Sequence, residues 1–179
     1  MGVFNLMDLR AGLQRGQRLI GLDPGSRIIG VALSDVSLML ATPYGAVARG
    51  RLAANAAEVG AIARREGAGG LVVGLPLGMD GSFGPAAQAA KDWGMALGEA
   101  MGLPVALWDE RLSSAAVNRA MIAADLTRAK RAAAVDAAAA AYMLQSALDA
   151  SRGPLDATRP RLDANRRPAS LPTTASDES

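Results

Sequence analysis

Two short apolar runs on either side of a Pro-Gly turn constrain this chain more than any other feature. Arg18-Leu-Ile-Gly-Leu-Asp23 has the length of one buried strand and is stopped by Pro24-Gly25. Ile28-Ile-Gly-Val-Ala-Leu-Ser34 follows at hairpin distance. A third strand is expected within 38–48, where Pro43 suits an edge or a bend.

Helical periodicity then takes over. Leu52, Ala56, Val59 and Ile62 recur on one face of a helix over 51–66, which Gly67-Ala-Gly-Gly70 stops. Leu71-Val-Val-Gly74 reads as a short strand. A loop over 75–84 precedes a helix that begins at Pro85 and ends before Gly102. Val105 to Trp108 is another strand. Ser113 or Ser114 could cap a helix over 115–124, and an Ala-rich helix is expected over 129–150. The order β-β-β-α-β-α-β-α-α predicts an α/β fold. Its five-stranded mixed sheet has the first three strands antiparallel, with helices on both faces.

Residues 1–17 read as an N-terminal extension with a short helix, and 18–150 as the folded domain. Residues 151–179, rich in Arg, Pro and Ser, read as a disordered tail. No apolar run has the roughly 18 residues of a membrane span. No secretory signal is recognisable, so a cytoplasmic protein is expected.

The chain has 179 residues but no Cys and no His. Disulfides, thiol nucleophiles, thiolate zinc sites and His general bases are therefore excluded together. Acid–base or metal chemistry must come from oxygen ligands and from Lys or Arg, which leaves magnesium or manganese compatible. Lys+Arg is 19 against Asp+Glu 17, so net charge does not announce a nucleic-acid binder.

Three acids stand apart from the solvated helix faces. Asp23 ends the first strand, Glu110 with Asp109 beside it ends the last, and Asp136 interrupts an apolar stretch of the Ala-rich helix. Carboxylates converging from two strand ends and a helix suit a pair of divalent metals that grip a phosphodiester. Each acid also has a plainer reading. Asp23 before Pro-Gly is a common turn residue. Asp109-Glu110-Arg111 could be a local ion pair at a strand end. Asp136 could face solvent or cap a helix turn. Asp80 and Ser82 in the 75–84 loop could contact phosphate, or belong to a simple glycine loop.

Four stretches together resemble the YqgF/RuvX family, the Holliday junction resolvase-like or pre-16S rRNA nuclease proteins. They are Leu22-Asp-Pro-Gly-Ser-Arg-Ile-Ile-Gly-Val-Ala32, Val72-Val-Gly-Leu-Pro-Leu-Gly-Met-Asp-Gly-Ser82, Trp108-Asp-Glu-Arg-Leu-Ser-Ser114 and Val135-Asp-Ala-Ala-Ala139. The resemblance spans about residues 18–150. It implies an RNase H-like fold and a hydrolase, a metal-dependent nuclease acting in 5′-end maturation of pre-16S rRNA during ribosome biogenesis. Its catalytic and metal-holding acids fall on Asp23, Glu110 and Asp136. One departure is visible: RNase H-like resolvases carry an acid at the end of the fourth strand, where this chain has Val73-Gly74-Leu75, so the acid would come from the next strand.

Weaker expectations are contacts to the nucleic-acid backbone from Ser26, Arg27, Arg111, Arg128 and Lys130. The rival readings are a resolvase acting on branched DNA as a homodimer, a non-catalytic RNA-binding module of ribosome assembly, and a sugar-kinase or actin-like ATPase. The last needs two such domains. No membrane partner is expected, and both monomer and homodimer remain open.

Overall fold

A computed structural model describes residues 3–112 and 128–152. In chain order it contains β1 (Val3–Phe4), α1 (Leu6–Gly12), β2 (Arg18–Pro24), β3 (Ile28–Ser34), β4 (Ala41–Ala48), α2 (Leu52–Glu66), β5 (Ala68–Leu75) and α3 (Pro85–Met101). Then follow β6 (Val105–Asp109), a single 3-10 turn (Glu110–Leu112) and α4 (Arg128–Ala150). The expected helix over 115–124, with its Ser113 or Ser114 cap, and the expected tail beyond 152 lie outside the described residues.

The sheet order is β1-β6-β5-β2-β3-β4. β2 pairs antiparallel with β3, and β3 with β4. β5 lies parallel to β2, and β6 parallel to β5. This is the expected five-stranded mixed sheet, with β1 added as a two-residue parallel strand beside β6. The central strands are mostly apolar because both of their faces are covered, with Asp23 a buried exception in β2. β4 is an edge strand with most of its residues at least partly exposed, and Pro43 is tolerated there.

Local signals set the helix ends. α2 stops at Gly67 (φ 67°) and α3 at Gly102 (φ 66°), both left-handed positions that favour glycine. Pro85 opens α3, where its missing N–H costs nothing. Asn5 caps α1 by accepting the Asp8 N–H at 2.8 Å.

Helices cover the sheet from both sides. On one face Ile20, Leu22, Ile29, Val31, Leu71 and Val73 pack with Val59 and Ile62 of α2 and Leu97 of α3. On the other, Leu19, Ala32, Val72 and Ala106 meet Ala140, Met143, Leu144 and Leu148 of α4. Leu6 and Leu9 of α1 are buried in that second cluster. Each contributes about 2 kcal/mol of apolar burial. Arg10 of α1 also donates to Ser151 Oγ at 3.2 Å, just past the end of α4.

Candidate active site

Asp23 sits near the end of β2, on the face that α4 covers. Side chains two residues apart along a strand share a face. Gly21 faces α4 so closely that a Cβ there would stand 2.8 Å from Leu144 Cβ. Asp23 therefore faces the same way, and it is only 8% exposed. Strand pairing sets its neighbours. Gly30 of β3 lies directly opposite. The parallel register of Leu22 with Val73 brings Gly74 of β5 level on the other side. Trp108 of β6 continues the row beyond Gly74.

The flanking glycines admit the other two acids. A Cβ on Gly30 would collide with the Asp136 carbonyl oxygen, so the α4 backbone lies against the sheet at that point. A Cβ on Gly74 would stand 2.5 Å from Glu110 Oε1 and 3.0 Å from its Cγ, so the Glu110 carboxylate rests on that glycine. Adjacent strands are about 4.8 Å apart. Asp136 and the Glu110 carboxylate thus close in on the two strands that flank Asp23. Glu110 itself opens the 3-10 turn rather than ending β6.

Among the described residues no three acidic side chains surround a common point as a ready-made cation cage. The donor chemistry nevertheless fits a hard divalent cation, because every available ligand is oxygen.

The other expected contacts fall around this row. Ser26 and Arg27 are exposed on the β2–β3 turn that follows Asp23. That turn is held by Arg49, which the sequence did not single out. Its backbone N–H donates to Arg27 O at 2.9 Å, and its guanidinium donates to Gly25 O at 2.9 Å. The guanidinium also lies 5.5 Å from the centre of the Trp93 ring.

Arg111 is engaged by Asp109, its guanidinium donating to both carboxylate oxygens at 2.6–3.1 Å. Hydrogen bonding to Arg111 holds the Asp109 carboxyl below its ordinary value, despite partial burial, and Asp109 in turn raises Arg111. Asp80 and Ser82 bond to each other: the Ser82 N–H donates to Asp80 Oδ1 at 2.9 Å. The bonds from Ser82 lower the Asp80 pKa. Arg128 and Lys130 lie in the first turn of α4, and their side chains fall outside what is described.

Both glycines belong to stretches that the sequence marks as site candidates, but their role as the places where α4 and the Glu110 carboxylate approach the sheet is visible only in the structure. The available signal was a glycine inside an apolar strand run, which marks close approach of another backbone or ligand.

Comparison with known proteins adds a family. Residues 17–150 match the family model RuvX, described as Holliday junction resolvase. A protein of Acidiphilium cryptum named "Putative pre-16S rRNA nuclease" is 68% identical over 149 residues, covering 83% of this chain and 94% of the relative. One of the same name from Gluconacetobacter diazotrophicus is 65% identical over 152 residues, covering 84% and 99%. Among solved structures, T. thermophilus RuvC in complex with a Holliday junction substrate is 17% identical with a TM-score of 0.46, covering 75% of this chain and 94% of that one.

Proposed function

This chain belongs to the RuvX family and is a hydrolase of phosphodiester bonds, and from that premise we propose that it is a metal-dependent endonuclease maturing the 5′ end of the 16S rRNA precursor. The observation that carries this reading is the row Gly30–Asp23–Gly74, with Asp136 against one glycine and the Glu110 carboxylate against the other. Such a row has oxygen donors of β2, of the 3-10 turn and of the α4 backbone near one end of the sheet.

In this reading Asp23, Glu110 and Asp136 hold magnesium or manganese. When bound, such an ion neutralises phosphate charge and acidifies a water. Hydrolysis adds the water oxygen to phosphorus and breaks the bond to the 3′ oxygen, which leaves with a proton as a hydroxyl. Asp23, fixed in the central strand, sets the position of the reacting phosphate. Ser26 and Arg27, on the turn that Arg49 holds, contact neighbouring phosphates, as do Arg128 and Lys130. Arg111, bound to Asp109, orients the loop after β5. No described helix is long and apolar enough to cross a membrane. A precursor-rRNA substrate places the activity in the cytoplasm.

A second reading is favoured by the family description itself: a resolvase of four-way DNA junctions, which needs a homodimer to cut symmetrically. One experiment separates the two. A 5′-extended 16S rRNA precursor and a four-way junction are each incubated with the protein and magnesium or manganese, beside Asp23→Asn. Precursor cutting that disappears in the variant supports the proposal. Junction cutting that disappears supports the resolvase. If neither is cut and RNA still binds after all three acids are neutralised, the protein is a binding module. Manganese binding followed by calorimetry gives an independent readout, and the Asp23→Asn variant should lose it.

A further inference from the structure

The loop between β5 and α3 carries two large apolar side chains out into solvent. Met79 is 96% exposed and Phe83 49%. The backbone that presents them is well braced. The Gly78 N–H donates to Ser82 O at 3.0 Å, and the Gly81 N–H to Gly78 O at 2.8 Å. Arg111 reaches Met79 O at 3.5 Å, and its guanidinium would meet a Cβ on Gly81 at 3.3 Å. Gly81 has a φ of 86°, so glycine suits the turn. Lys91, one of only two lysines in the chain, places its ammonium 5.9 Å from the centre of the Phe83 ring.

We propose that Phe83 and Lys91 form a subsite for one unpaired nucleotide of the substrate, with the base stacked on the phenyl ring and its phosphate against the ammonium. This rests on the nuclease reading above. Three features favour a nucleotide over another occupant. A half-exposed ring on a braced loop offers a π-face that any base can cover, at little cost in ordering the protein. The Lys91 ammonium over that ring matches the phosphate of the same nucleotide. The loop also touches Arg111, the residue after Glu110. Phe83 is two residues from Gly81, a span of at most about 7 Å, so the ring belongs to the loop segment that Arg111 contacts. Paired bases cannot cover the ring without unstacking, so the subsite selects single-stranded nucleotides.

The test uses the full chain and a single-stranded RNA with 2-aminopurine at successive positions, in EDTA so that nothing is cut. The wild type should quench one position strongly. Phe83→Ala should lose that quenching and weaken binding about tenfold, while Phe83→Trp should keep both. Lys91→Ala should lower the slope of log affinity against log salt by about 1 and leave the quenching in place. Affinity and quenching unchanged in Phe83→Ala would overturn the subsite. Cleavage of the rRNA precursor with magnesium is measured in parallel. A wild type that cuts without dependence on Phe83 defeats the subsite alone. Quenching that depends on Phe83 in a protein that never cuts defeats the nuclease reading and leaves the subsite standing.

Discussion

The two faces of the sheet are built from different residues. The face under α2 and α3 is made of Ile, Leu and Val, with Ile20, Leu22, Ile29 and Leu71 all fully buried. The face under α4 carries Gly21, Gly30 and Gly74, with Ala32 and Ala106 among its larger neighbours. Both faces use glycine for close approach, but on opposite partners. Under α3 the glycines are on the helix: a Cβ on Gly94 would come 3.1 Å from the Val73 methyls. Under α4 they are on the sheet, and what comes close is the Leu144 side chain at Gly21, the helix backbone at Gly30 and a carboxylate at Gly74. A sheet face with few large side chains can accept polar groups next to its backbone. Asp23 and the Glu110 carboxylate lie there, and the opposite face supplies most of the bulky apolar packing.

Matched Gly→Ala substitutions on the two faces test this contrast. Gly30→Ala adds one methyl group, but that methyl collides with the backbone of Asp136, which has no rotamer to yield with. A loss of about 3 kcal/mol in urea unfolding is expected, at the upper end for overpacked cores. Cleavage should disappear with it, because α4 must move away from Asp23. A variant of unchanged stability and activity would show that α4 does not sit on Gly30. The next largest effect belongs to the chemistry. Glu110→Gln keeps the shape and removes the charge, so it should lower kcat by at least about 100-fold, with stability changed by less than about 1 kcal/mol. Retained kcat would remove Glu110 from the site. Gly94→Ala sits third. A gain in helix propensity of up to about 1 kcal/mol offsets the crowding of Val73. The urea midpoint should stay close to that of the wild type, and cleavage should be kept.

Much of this architecture is legible in the sequence because local chemistry decides it. The runs around Pro24-Gly25 form β2 and β3, Gly67 and Gly102 stop α2 and α3, and Pro85 starts α3. Asp23, Glu110 and Asp136 stand out because each acid interrupts or ends an apolar run. What is not legible depends on register. A glycine in a strand reads equally as a turn former or a contact point. Only the pairing of Asp23 with Gly30, and of Leu22 with Val73, shows that two glycines flank one acid. The docking of α1 is hidden for a similar reason. Leu6 and Leu9 are too few to signal burial by periodicity, and they are buried by a cluster that strands of the sheet and α4 build from distant parts of the chain.

The smallest effect expected is at the edge of the site, and its sign follows from Asp109. Hydrogen bonding to Arg111 depresses the carboxyl below its ordinary value of 3.8. A depressed carboxyl stabilises the folded state at every pH above the ordinary value, and loses that contribution as the pH falls through its lowered folded value. The wild type should therefore unfold at a slightly higher urea concentration than Asp109→Asn at pH 7, and the two should converge only once the pH falls below the carboxyl's lowered value. The guanidinium is partly exposed, so the gap at pH 7 is small and narrows further in high salt. The pair acts chiefly by orienting Arg111 against the loop that carries Phe83. Asp109→Asn should thus weaken the 2-aminopurine quenching in proportion to the freedom it gives that loop. Full quenching in the variant would mean that the loop's own backbone hydrogen bonds hold Phe83 in place, and that Arg111 adds nothing to them.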